Sequence, residues 1–198
     1  TRSKRDWSSD VCSSDLVLDH TATAVGTKLA DQPEVEAAVR TTIGRIYHRL
    51  AQYSVAEMHF SRALELRRPV LGEEHPDTLA SMNNLANTLE DKGELGEAEA
   101  MHRKCLEIRR RVLGEEQLDT VGSMTNLAVT LKNRGKHEQA EAMERRVLKI
   151  LQGVLGEEHP DTLTLMNNLA VTLKERGKLE EAEVMHRRCL EIKRRVPG

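Results

Sequence analysis

The chain has 198 residues, 31% of them charged, with 30 Lys and Arg against 32 Asp and Glu and a formal net charge of -2. That balance excludes the concentrated positive field of a general nucleic-acid or anionic-membrane binder, and aromatics at 2% are too few for base-stacking platforms. No apolar run approaches the roughly 20 residues that cross a bilayer, and three widely separated cysteines (Cys12, Cys105, Cys189) supply no disulfide framework and suit a reducing, cytoplasmic setting.

Residues 1–16 show neither a helical period nor the apolar stretch of a signal peptide. The run Arg5-Asp6-Trp7-Ser8-Ser9-Asp10-Val11-Cys12-Ser13-Ser14-Asp15-Leu16 is similar to an in-frame translation of a short-read sequencing adapter. This segment is expected to be non-native, or else a polar disordered tail, and Trp7 and Cys12 carry no functional weight. Native sequence would then begin at about Val17. Residues 17–32 are expected to hold one partial helix, from Val17 to Ala30.

From Pro33 onward the chain is built on a repeat. Leu71-Gly72-Glu73-Glu74-His75-Pro76-Asp77-Thr78 returns as Leu155-Gly156-Glu157-Glu158-His159-Pro160-Asp161-Thr162, and a worn copy, Leu113-Gly114-Glu115-Glu116-Gln117-Leu118-Asp119-Thr120, lies midway. The starts Leu71, Leu113 and Leu155 are 42 residues apart. A fixed period of this size signifies stacked units, each burying its apolar face against its neighbours. The units are expected at about 33–70, 71–112, 113–154 and 155–196. At the far end Arg194-Arg195-Val196-Pro197-Gly198 stands where Arg110-Arg111-Val112-Leu113-Gly114 stands two units earlier, so a further unit is expected to begin there.

Within the unit that starts at Leu71, Pro76 suits the first helical turn, where its missing N–H costs nothing. Asp77 then sits near the positive end of the helix dipole, His75 is the boundary residue, and Thr78 is a candidate local cap. Leu79, Met82, Leu85, Ala86 and Leu89 form one apolar stripe, and Gly93 closes the helix. A second helix buries Leu95, Ala98, Met101, Cys105, Leu106 and Ile108 and ends at Gly114. Each unit is thus a helical hairpin. Ala86, Ala128 and Ala170 share one phase, and Ala98, Ala140 and Ala182 another, where helices must approach closely. In the divergent unit Ile43-Gly44 and Tyr47 replace Leu85-Ala86 and Leu89, and Ala56, Phe60 and Ala63 follow at matching offsets.

This pattern resembles the tetratricopeptide repeat: apolar-then-small, an aromatic or Leu three later, then Ala-x3-aromatic-x2-Ala. The 42-residue period, with LGxxHPDT between hairpins and NNLA in the first helix, looks like the kinesin-light-chain type. The resemblance covers about Pro33 to Val196 and implies an all-α, right-handed solenoid of antiparallel hairpins. A second likeness lies in Leu29-Ala30-Asp31-Gln32-Pro33-Glu34-Val35-Glu36-Ala37 followed by Thr42-Ile43-Gly44. It resembles the lead-in to such arrays in bacterial serine/threonine kinases and regulators, although no kinase glycine-rich loop, HRD or DFG pattern occurs in this chain.

In such arrays the first helices line the concave face, and residues one or two before the Leu-Ala pair reach the ligand. The resemblance carries this role onto Asn83, Asn84, Thr125, Asn126, Asn167 and Asn168, with Thr41 and Thr42 in the divergent unit. An amide both donates and accepts, so it can hold a peptide backbone; the second Asn of each pair is favoured over the first. Arg45, His48 and Arg49, then Asn87, Glu90 and Asp91, then Lys132 and Lys174 continue that face. An acidic peptide with an apolar anchor would suit it.

The spacing of His102 to Cys105 and of His186 to Cys189 would bring two zinc ligands together on a helix, but the middle copy carries Glu144 and Val147 there, and a regular core position explains the cysteines better. The paired Glu180-Glu181 and the Glu-rich helix starts match the helix dipole rather than general acid–base chemistry. No catalytic residue, metal or cofactor is expected. The expectation is a non-enzymatic scaffold that docks peptide segments of partner proteins. The alternatives are a regulatory segment of a larger bacterial signalling kinase and self-association through uncapped ends.

Overall fold

The computed structural model describes residues 26–195, so the adapter-like run and most of the helix expected from Val17 lie outside the described residues. Residues 26–28 are helical and a turn follows. Eight long helices come next: α1 Pro33–Arg49, α2 Tyr53–Leu71, α3 Pro76–Asp91, α4 Leu95–Leu113, α5 Leu118–Asn133, α6 His137–Val154, α7 Pro160–Glu175 and α8 Leu179–Arg195. No strand occurs among the described residues. The helices fall into two compact units divided after Lys92.

In the first unit α1 packs on α2 and α2 on α3. Gly44 is required by a close approach: a Cβ there would lie 2.8 Å from the Phe60 ring. Ala37, Ile43, Tyr47, Ala56, Phe60 and Ala63 form the core of that contact, and the Tyr47 ring stacks on His59 at 5.8 Å. Ala51 holds φ at 57° in the turn between α1 and α2, the left-handed region that Gly135 and Gly177 fill in the later turns. At α3 the boundary residue His75 is the cap, its Nδ1 accepting the Asp77 N–H at 3.2 Å. Thr78 is no cap, contrary to the sequence reading. The helix already starts at Pro76, which turns the Thr78 hydroxyl inward, where it is buried without a partner.

In the second unit each helix from α4 to α8 packs on the next. One apolar core runs through it, including Leu106, Met124, Leu127, Val147, Met166 and Leu169. Ala128 and Ala140, with Ala170 and Ala182, are buried as the repeat phase predicts.

Polar clamps fasten one second helix to the next turn. Glu99 in α4 accepts from Arg103 at 2.9 Å, from Lys136 at 2.8 Å and from Arg134. One period on, Glu141 accepts from Arg145 at 2.8 Å, from Lys178 at 2.9 Å and from Arg176. Burial alone would raise both carboxyls, but the three cationic donors outweigh it and hold each at about 2. These carboxylates stand just past the first turns, which carry Glu97 and Glu138, and serve the joint rather than the helix dipole.

Candidate peptide-binding groove

The first helices present their polar stripe as the repeat phase dictates: Leu85-Ala86, Leu127-Ala128 and Leu169-Ala170 turn inward, and the residues before them stand at the surface, half-buried. In the first unit Arg45, Arg49, Asn84 and Asn87 gather with His48 and Phe60 around a cavity of about 150 Å³. His48 Nε2 lies 2.9 Å from Asp91 Oδ2, which secures that ring at the edge. Two arginines over so small a hollow suit a carboxylate.

In the second unit Thr125, Asn126 and Asn168 line a cavity of about 290 Å³ between α5 and α7. Leu118, Val121, Leu151 and Leu165 make its apolar surface, and Asp161 stands at its rim. The side chains of Asn84, Asn126 and Asn168 make no hydrogen bond among the described residues, so their amides remain available.

Other sequence-chosen residues are placed differently. The Thr41 hydroxyl donates to Ala37 O at 2.7 Å and accepts from Arg67, and the Thr42 hydroxyl donates to Ala38 O at 3.1 Å. Thr125 likewise donates to Val121 O at 3.0 Å, so its hydroxyl proton is already engaged. Asn167 Oδ1 lies 3.3 Å from His186 Nδ1. Asn83 and Lys132 are half-buried and Lys174 is exposed, and none of the three lines either cavity.

No cluster of three or more potential metal ligands occurs among the described residues. His102 and Cys105 are wholly buried. Burial lowers the His102 imidazole to about 4 and raises the Cys105 thiol. Glu144, one period after His102, is buried too, and its carboxyl is pushed up. His102 and Glu144 occupy the position of Phe60 and Cys105 that of Ala63, and all belong to the core. No helix among the described residues is long and apolar enough to cross a membrane.

A family model for the tetratricopeptide repeat matches residues 35–111, 81–152 and 119–195. The chain belongs to the tetratricopeptide-repeat family. Its all-α, solenoid fold class is shared with solved relatives. Nearly identical TPR-like repeats described as a kinesin light chain of Podosopora anserina superpose with a TM-score of 0.79 at 23% identity, over 89% of this chain and 83% of that one. BtubC (BKLC) of P. vanneervenii gives 0.76 at 22% identity, over 84% and 66%. The apo form of RapI gives 0.74 at 17% identity, over 88% and 62%. At these identities the likeness concerns the fold. One curated relative, a nucleotide-binding leucine-rich repeat (NLR)-like protein of Hyaloscypha variabilis, is 54% identical over 41 residues, which is 21% of this chain and only 4% of that protein. Tetratricopeptide repeats generally serve protein–protein interaction.

Proposed function

We propose that the chain is a non-catalytic scaffold of four helical hairpins, about 33–70, 71–112, 113–154 and 155–196, that binds peptide segments of partner proteins along its first helices. The observation that carries this reading is the convergence of unpaired Asn amides with side-chain-sized hollows: Asn84 beside Arg45 and Arg49, and Asn126 with Asn168 above an apolar floor. Amides fix the ligand backbone, the arginines receive an acidic side chain, and the apolar hollow receives an anchor. Contacts spread over several units give modest affinity, raised by multivalency in a larger assembly.

The test is selection of a randomised phage-displayed peptide library on this chain, followed by calorimetry with the enriched peptides. Asn126→Ala with Asn168→Ala should weaken binding without changing the unfolding temperature. Unchanged affinity in that double variant refutes groove binding.

A second reading, self-association, draws on α8, where Leu179, Val184 and Leu190 are all exposed. Sedimentation that stays monomeric at high concentration removes it. The same array would also serve as the recognition segment of a larger signalling protein, including a bacterial serine/threonine kinase. Autophosphorylation by the extended native product would establish that context.

A further inference from the structure

The α5–α7 cavity collects the positions at which the third unit departs from its neighbours. Leu118 stands where Pro76 and Pro160 stand, Val121 where Leu79 and Leu163 stand, and Thr125 where Asn83 and Asn167 stand. Gly122 replaces Ala80 and Thr164, and Leu151 replaces Arg109 and Lys193. The fourth unit adds its own departure, Leu165 in place of Ser81 and Ser123. All six line one hollow.

The exchange at 151 and 165 is a matched pair. At the equivalent place Arg109 Nη1 donates to Ser123 Oγ at 2.8 Å and to Asp119 O at 2.9 Å. Arg67 Nη1 does the same to Ser81 Oγ at 2.5 Å and Asp77 O at 3.3 Å. At the α6–α7 contact both partners are leucine, 5% and 3% exposed, so a polar strap that lies across the groove floor is replaced by an apolar floor. Gly122 adds an independent sign. It sits inside α5, where glycine weakens a helix relative to alanine. Nothing in the packing requires it, because a Cβ there would meet no atom within 4 Å. Its missing side chain leaves the mouth of the hollow open.

Charge changes in the same place. The triplet Arg109-Arg110-Arg111 at the end of α4 becomes Leu151-Gln152-Gly153 at the end of α6, while Asp161 remains on the rim. The cationic character that would attract an acidic ligand is thus removed at this joint.

We propose that this hollow is the specificity subsite of the array, and that it takes a single aliphatic side chain (Leu, Ile or Met) of a partner peptide with a Lys or Arg beside it facing Asp161. This inference rests on the peptide-binding reading above and names its ligand. The cavity, about 290 Å³, is at the small end of ligand pockets, which run from about 300 to 1,000 Å³, and so suits one side chain rather than a cofactor. It also reverses, at this joint, the acidic ligand that the sequence suggests for the groove as a whole.

The experiment uses the full chain and the randomised phage-displayed peptide library. Enriched peptides should share an aliphatic residue adjacent to a basic one, and alanine at the aliphatic position should cost about tenfold or more in affinity. Two variants close the hollow by different routes. Gly122→Leu fills its mouth, and Leu151→Arg with Leu165→Ser restores the strap seen at the neighbouring joints. Each should lower affinity by a similar factor, and Gly122→Leu should leave the unfolding temperature unchanged or raised. Peptides that lose binding with Asn126→Ala and Asn168→Ala but keep it with Gly122→Leu would overturn the subsite and leave groove binding standing. Enriched peptides with acidic residues about the anchor would also overturn it. No enrichment over a column without protein would overturn both readings.

Discussion

Replacing Glu141 with Gln removes the charge at the centre of one clamp and leaves Arg145, Arg176 and Lys178 without their shared partner. The carboxyl is held at about 2 against an ordinary 4.5, although burial opposes this. Each pH unit of such displacement is worth about 1.4 kcal/mol, so the clamp contributes about 3 kcal/mol at most, and nearer 2 because its cations remain partly in water. The folded-state pKa is depressed, so this stability is fully present above pH 4.5 and is lost as pH falls towards 2. Unfolding free energies from urea titrations of the native chain and of Glu141→Gln, measured from neutral pH downward, should differ by about 2–3 kcal/mol at neutrality. The two should converge in acid. A difference below about 0.5 kcal/mol at neutral pH would mean the pair behaves as an exposed one, and a difference that does not shrink in acid would refute the electrostatic account.

Further outcomes follow from single positions. His102, lowered to about 4 from 6.5 by burial, is neutral in the folded chain while the unfolded chain gains a proton. Relative to His102→Leu, the native chain should therefore lose about 2 kcal/mol between pH 7 and pH 5 in the same urea assay, the opposing contribution of the raised Glu144 carboxyl being common to both. Gly44→Ala drives a methyl into the Phe60 ring and should cost about 1–3 kcal/mol by thermal unfolding, with Phe60→Leu in the same chain recovering part of it. Ala51→Gly relieves a left-handed backbone and should raise stability by about 1 kcal/mol, visible as a higher unfolding temperature. A lower temperature would show that the turn tolerates alanine without strain.

The helical framework was legible because its signal is local and repeated. Leu85-Ala86 and Leu127-Ala128 state which face is buried, and Pro76 and Pro160 mark helix starts that the structure places at those residues. The clamps were not legible from one helix, since a Glu near a helix start reads the same whether solvated or reaching elsewhere. The signal lay between units. Glu99 with Arg134 and Lys136 recurs as Glu141 with Arg176 and Lys178, so the whole set shifts by one period. The apolar hollow was hidden for a similar reason. Leu118 reads as decay of the His-Pro motif, and Leu151 and Leu165 read as ordinary apolar residues, until packing sets them against one another across α5, α6 and α7. Thr41 and Thr42 were chosen from alignment with the Asn pairs, but a hydroxyl on a helix reaches back to the preceding turn's carbonyl, which a longer amide does not.

The most direct test of peptide docking is to map an enriched peptide onto the chain by amide chemical-shift changes in a nitrogen-15-labelled sample. The account predicts changes centred on α5 and α7 around Asn126 and Asn168, with the Asn126 and Asn168 side-chain amides among those that move furthest. Changes confined to α8 around Leu179, Val184 and Leu190, with α5 and α7 undisturbed, would contradict it.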